Sequence, residues 1–390
     1  MPPNQFLFIE NSGISQIENS PLATGSLVRN RIEMPMATAF PIANPILAPA
    51  ARLTDSHGRV IHDLRVSITD RCNYKCVYCR TGEVGAQYPE LGIAEYLHLI
   101  RLFVDLGIEK VRLTGGEPLL RRGLVEMVRE LAQMRTLAGQ PLDLALTTNG
   151  HLLASLAAPL KAAGLHRVTV SMDAVEASTF ERITRIPGSF ETVLAGVRAA
   201  RAAGLAPVKI NCVLLRGFND DQIEGFARFA REENVVVRFI EFMPLEEGRL
   251  WSPEIVVPLS EIVERLSRVL PLTALPPREA GETARRYTFA DGVGEIGIIA
   301  PVSQAFCGAC SRVRLTSDGK IRTCLFSQVE HDLYGRLRAL RGTNSSDSMG
   351  DCDEELRAYI VQTVQGKEAR HHIGEPGFLK PSRSMVHIGG

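Results

Sequence analysis

The chain is 390 residues long, 45% hydrophobic and 23% charged, the mix of a soluble globular protein with room for one barrel-sized domain or two smaller ones. Lys+Arg and Asp+Glu both number 44, so the formal net charge is zero; this excludes the basic excess of a protein built to grip nucleic acid, and any anion site must be a local pocket. No apolar run approaches the roughly 18 residues of a membrane span, and residues 1–30, with Glu10 and Glu18, lack the basic start and apolar core of a signal peptide.

A cytoplasmic, reducing location without membrane attachment is therefore expected. Residues 1–50 carry Pro35, Pro41, Pro45 and Pro49 and are expected to form an irregular or disordered arm. From residue 64, β-rich runs at 65–69, 110–115, 143–148, 166–172, 207–214 and 235–243 alternate with helical patterns at 94–106, 121–135, 152–163, 191–203 and 220–231. Runs dense in Val, Ile and Leu suit parallel strands buried on both faces. Six strand–helix units fall short of the eight of a full TIM barrel. The expected class is therefore α/β, an open three-quarter (β/α)6 TIM-type barrel over 51–250, with a flat doubly wound sheet as the alternative.

Such barrels keep their chemistry at the C-terminal strand ends. The first run leads into Cys72-Asn-Tyr-Lys-Cys76-Val-Tyr78-Cys79, three thiols within eight residues. Soft thiolates favour iron–sulfur, zinc or copper(I) over hard cations. A [4Fe-4S] cube gives each iron one thiolate, so three thiolates leave one iron open to chelate a small molecule. Structural zinc wants four ligands, and neither Cys nor His follows Cys79 closely. The later runs end in Gly115-Gly116-Glu117-Pro118, Thr147-Thr148-Asn149-Gly150, Ser171-Met172-Asp173 and Glu241-Phe242-Met243-Pro244, while Lys209 and Asn211 lie within the fifth. Any one polar turn is ordinary; a series on one rim reads as a binding mouth.

Residues 251–390 change character. A helix is expected at 259–268, loop at 271–294, strands at 295–300, 311–316 and 320–324, loop at 342–353 and helix at 354–366. Ser317-Asp318-Gly319-Lys320 is a hairpin turn that brings Cys324 back beside Cys307 and Cys310. This second triad suits a second cluster or zinc, with His331 as a conceivable fourth ligand. Strand alternation sends Arg312 and Arg314 to one face. Together with Arg65, Arg112 and Lys209 they would make a pocket for a polyphosphate.

The Cys-x3-Cys-x2-Cys spacing, with Tyr78 before its last cysteine, resembles the radical S-adenosylmethionine (SAM) enzymes. The resemblance implies that SAM chelates the open iron and is split by one electron into methionine and a 5′-deoxyadenosyl radical. It also implies SAM contacts at Tyr78, Gly116, Ser171 and Met243. Four further features narrow it: Arg65-x-Ser-x-Thr-Asp-Arg-Cys72, Arg112-Leu-Thr-Gly-Gly-Glu-Pro118, Thr147-Thr-Asn-Gly150 and the Cys307/Cys310/Cys324 triad. Over roughly 55–390 the chain is similar to the GTP 3′,8-cyclase family, the molybdenum-cofactor biosynthesis A enzymes.

That likeness implies a radical SAM lyase with two [4Fe-4S] clusters. It would convert GTP to (8S)-3′,8-cyclo-7,8-dihydroguanosine 5′-triphosphate, the first step of molybdopterin synthesis. GTP contacts are implied at Arg65, Arg112, Thr147, Lys209, Arg312, Val313 and Arg314, the guanine meeting the second cluster. The terminal Gly389 and Gly390 would enter the active site and aid catalysis. Also implied are an electron donor such as flavodoxin or ferredoxin, a homodimer, and hand-over of product to cyclic pyranopterin monophosphate synthase. Cys212 and Cys352 read as free thiols, one packed and one exposed, and His371 and His372 as surface residues. The rivals are a peptide-modifying radical SAM maturase and a zinc-stabilised binding protein.

Overall fold

The computed structural model describes residues 52–79, 86–343 and 349–389. The chain clusters into two units, Met1–Asn44 and Pro45–Gly390, and every described strand and helix belongs to the second. The expected 1–50 arm and Gly390 lie outside the described residues.

Strand and helix alternate as β1 (Asp63–Ser67), α1 (Ile93–Asp105), β2 (Lys110–Thr114), α2 (Leu124–Gln133), β3 (Asp143–Thr148), α3 (Leu153–Ala162) and β4 (Arg167–Ser171). Two helices come next, α4 (Ala177–Thr184) and α5 (Ser189–Ala202), then β5 (Lys209–Leu214), α6 (Ile223–Glu232) and β6 (Val236–Glu241). These six strands pair in parallel and in order. Leu64, Val66, Val111, Val168, Ile210 and Val237 alternate with inward residues and pack under the helices. Each fully buried aliphatic side chain of this kind contributes about 1.5–3 kcal/mol.

The last third does more than close one end. After α7 (Leu259–Val269) come β7 (Leu272–Leu275), β8 (Arg285–Phe289) and β9 (Glu295–Ile299), then β10 (Arg312–Leu315), β11 (Lys320–Arg322) and β12 (His331–Asp332). β9 pairs in parallel with β6, whereas β10 pairs in parallel with β1. The result is one twelve-stranded sheet, ordered β12-β11-β10-β1-β2-β3-β4-β5-β6-β9-β8-β7. α8 (Leu333–Thr343), α9 (Met349–Gln365) and α10 (Met385–Ile388) complete the chain.

Four features depart from expectation. The stretch 271–294 holds β7 and β8, a ribbon whose short strands lack the dense aliphatic run that marks buried strands. α4 lies between 172 and 191, where no element is expected from the sequence, and α8 and the start of α9 occupy the described ends of the loop expected at 342–353. Cys352 is buried like Cys212, because α9 packs against α1 and turns that position inward.

Candidate active site

Register sets the electrostatics of the barrel interior. Arg314, Arg65 and Arg112 stand in one row across β10, β1 and β2, since Arg65 pairs with both others. Across the arc Ser171, Asn211 and Arg238 form a second row that ends at Gly297. A Cβ on Gly297 would lie 2.9 Å from Arg238 Cγ, so glycine on β9 makes room for that arginine.

The cations have few acceptors. Arg112 Nη1 donates to the hydroxyls of Thr147 (3.2 Å) and Thr169 (3.3 Å), and Arg238 Nη2 donates to Thr169 (3.1 Å). Arg65, Arg238 and Arg312 each keep a buried Nε with no acceptor. Burial, then the charges of Arg314 and Arg312, hold Arg65 well below its usual range. Burial and Arg312 lower Arg314 to about 10; burial with Arg112 and Arg167 lowers Arg238 to about 9. Lys209 faces the same side of β5 as Asn211. Burial, followed by Arg238 and Arg112, brings its ammonium down to about 7. A buried excess of like charge is costly without an anion. Val313 differs: its side chain points into the core, and it is not among the residues lining the chamber.

The first thiol loop is braced on every side. Lys75 and Val77 donate their N–H groups to the carbonyls of Thr184 and Ile183 at the end of α4. Tyr78 donates to Asp173 Oδ2 (2.7 Å), while Asp173 Oδ1 accepts the Val213 N–H (2.8 Å), tying the loop to β4 and β5. Burial raises the Asp173 carboxyl to about 6. The N–H groups of Gly116 and Glu117 donate to the carbonyls of Thr69 and Arg71, just before Cys72. Gly115 has φ +152°, and a Cβ there would strike the Thr69 carbonyl; one on Gly116 would strike that of Arg71. The two glycines are therefore required by the approach of the thiol loop itself. Glu117 is fully buried and accepts from Leu119 N–H, Thr148 Oγ1 and Asn149 N–H, joining the ends of β2 and β3. Burial raises it to about 7.

The second triad is shaped by the β10–β11 hairpin. Cys307 and Cys310 flank one tight turn, in which Cys310 N–H donates to Cys307 C=O (3.1 Å). Lys367 donates to the carbonyls of Arg312 (3.0 Å) and Thr323, fixing the positions beside Cys310 and Cys324. Burial opposes ionisation of Cys310, but Arg312 and Lys367 override it and hold the thiol near 6. Arg312 also donates to Cys310 Sγ (3.3 Å) and stacks 5.0 Å from the Phe306 ring. His331 sits on β12 with its ring against Tyr359 and is not among the chamber-lining residues.

All six half-buried cysteines of the two triads line one cavity. Among the described residues no group of His, Cys, Asp or Glu is gathered tightly enough to hold a single metal ion. Each triad offers three soft sulfur donors, a donor set that fits an iron–sulfur cluster. The same cavity is lined by Arg65, Arg112, Arg312, Arg314, Thr147, Tyr78, Gly116, Ser171 and Met243. Gly389 reaches it through the Arg314 guanidinium, which donates to its carbonyl.

Three wall residues were not anticipated from the sequence. Arg238 has the signal of Arg65, a lone charge within a Val/Ile run. Lys367 and His371 have none. His371 lines the cavity against Phe326, while His372 is exposed and paired with Glu375.

Comparison with known proteins gives a consistent picture. The radical SAM superfamily profile matches residues 66–230, and the Molybdenum Cofactor Synthesis C profile matches 235–373. A GTP 3′,8-cyclase of Acidothermus cellulolyticus is 43% identical over 306 residues, 77% of this chain and 83% of its own. That of Moorella thermoacetica is 43% identical over 341 residues, 87% of this chain and 100% of its own. Among solved structures, Streptococcus suis SuiB bound to S-adenosylmethionine aligns with a TM-score of 0.54 at 12% identity, over 72% of this chain and 65% of that one. At that identity the likeness concerns the fold, and it agrees with the partial barrel.

Proposed function

The chain belongs to the GTP 3′,8-cyclase family of radical SAM enzymes, and from that premise we propose which of its residues carry the reaction. The reaction is radical SAM cyclisation of GTP in molybdenum-cofactor biosynthesis, and it uses SAM and a [4Fe-4S] cluster.

In our reading Cys72, Cys76 and Cys79 hold that cluster, and Cys307, Cys310 and Cys324 hold a second [4Fe-4S] cluster. When bound, the first cluster and SAM supply a carbon radical able to take hydrogen from the GTP ribose. The protein's own part is to place and enclose. Tyr78, Gly116, Ser171 and Met243 border SAM. Arg65, Arg112, Lys209, Arg312 and Arg314, with Thr147 and the Val313 main chain, hold GTP, and its triphosphate supplies the anion that the buried guanidiniums lack. Arg238 joins this set on the evidence of its row partners and its unsatisfied Nε. Gly389, whose carbonyl accepts from Arg314, and Gly390, which lies outside the described residues, are assigned to aid catalysis. We assign the barrel to 51–250 and the second-cluster region to 251–390.

The observation that carries this reading is the shared cavity: two thiol triads and a belt of under-compensated cations around one space. Anaerobic, iron-loaded and reduced protein should form 5′-deoxyadenosine and cyclised product from SAM and GTP. Deoxyadenosine formed with a peptide but not with GTP defeats the assignment. Arg238→Ala should raise KM for GTP roughly tenfold to a hundredfold, the loss of a charged hydrogen bond, while SAM binding is unchanged. A flavodoxin- or ferredoxin-class donor, a homodimer, a cytoplasmic location and hand-over to cyclic pyranopterin monophosphate synthase complete the proposal. No helix among the described residues is long and apolar enough to cross a membrane.

A further inference from the structure

The C-terminal segment is seated along its length. Lys380 Nζ pairs with Glu246 (3.0 Å) and donates to the Gly248 carbonyl (2.9 Å). Met385 N–H donates to Leu245 C=O (3.0 Å), and His387 N–H donates to Ser384 C=O (3.0 Å). Ile388 is 1% exposed and enters a small apolar cluster with Leu245, Phe326 and Ile373. Gly389 has φ +68°, and a Cβ there would stand 2.6 Å from Thr114 Cγ2, so the turn onto Arg314 demands glycine.

One side chain joins this segment to three others. Arg383 donates to Asp318 through Nη1 (2.9 Å) and Nη2 (2.8 Å), and to Glu330 through Nη2 (2.7 Å). Its Nε lies 2.7 Å from the other Glu330 oxygen. The guanidinium is 3.8 Å from the centroid of Tyr88, whose ring meets His387 edge-on at 5.2 Å. Tyr88 N–H donates to Asp70 Oδ2 (2.9 Å), beside the first thiol loop. Asp318 is the turn of the β10–β11 hairpin that carries the second triad toward the chamber. Arg383 thus binds both halves of the site at a position where its side chain is 2% exposed.

We infer that Arg383 is the positioning residue that seats Gly389 on Arg314, and that this clasp closes only when the segment after the first thiol loop and the second-triad hairpin are both in place. The carboxylates do not need Arg383 to stay paired: Asp318 keeps Thr316 (2.6 Å) and Lys320 (3.6 Å), and Glu330 keeps Arg322 (2.7 Å). Removing Arg383 should therefore free the tail without unfolding the hairpin. Its effect on turnover rests on the proposed cyclase reading; its effect on tail order does not.

The test is anaerobic, iron-loaded Arg383→Ala and Arg383→Lys beside the unaltered protein. Hydrogen–deuterium exchange at the Met385 and His387 amides should accelerate about tenfold or more in R383A, as expected for loss of a buried ion pair. Lysine, which cannot grip both carboxylates and stack at once, should give a smaller change. Iron content should be unchanged in both. The kcat for cyclised product should fall at least about tenfold in R383A, by the same ion-pair cost, with deoxyadenosine formation and SAM binding retained. Unaltered exchange, or faster exchange with unaltered kcat, overturns the inference. If R383A does not fold, the same two readouts on R383K decide. Absence of product from the unaltered protein would instead overturn the cyclase reading, leaving the exchange result to judge the clasp.

Discussion

Lys209 stands on the inner face of β5 among Arg238 and Arg112, and it titrates near 7 rather than its usual 10.5. A polyanion offsets the neighbouring positive charge and returns the ammonium toward its ordinary value. Triphosphate binding should therefore take up a proton between about pH 7 and 10, and GTP affinity should weaken as pH rises through that window. Calorimetric titration of GTP in buffers of different ionisation enthalpy measures the uptake, which Lys209→Met should reduce most toward the lower end of that window, where Arg238 and Arg314 are already protonated. The inward arginines are largely legible in the sequence, because a single charge inside a Val/Ile/Leu run must have a reason. Arg238 obeys the same rule. His371 does not: its burial depends on Phe326, brought there by chain far from it in sequence.

At the scale of elements, the glycine pair after β2 is where two loops must touch. Any side chain on Gly115 meets the Thr69 carbonyl and strains a φ of +152°. Gly115→Ala should therefore disturb the first thiol loop and spare the hairpin. Iron per chain should fall from about eight toward about four, measured by metal analysis after reconstitution. Loss from both triads, or from neither, contradicts this division. The six barrel strands are legible because each holds a short run rich in Val, Ile and Leu between helical patterns, and their observed bounds differ from the expected ones only at the ends. The ribbon of β7 and β8 and the helix α4 are less so: burial patterns there mix exposed and buried residues, and tertiary packing decides the conformation.

For the whole molecule, the sheet order matters more than the domain division. β9 covers the open edge of β6 and β10 covers that of β1. A fragment of residues 51–250 would expose both as unpaired parallel edges, which invite association. It should elute as aggregate in size-exclusion chromatography where the full chain does not; a monodisperse fragment would show that the barrel stands alone. The partial barrel itself is readable from six strand–helix units. That the remaining chain would reach around to both of its ends is not, because pairing between distant strands leaves no local trace in composition or period.

Those two edge pairings bear on how the protein is made. β6 must wait for β9 and β1 for β10, and the clasp at Arg383 waits for nearly the last residues of the chain. During synthesis the thiols of Cys72, Cys76 and Cys79 leave the ribosome long before the wall opposite them exists. In the proposed reading the first triad is complete early in translation, whereas the second is complete only once Cys324 has emerged. Emergence of the tail is then the natural moment at which the chamber is sealed.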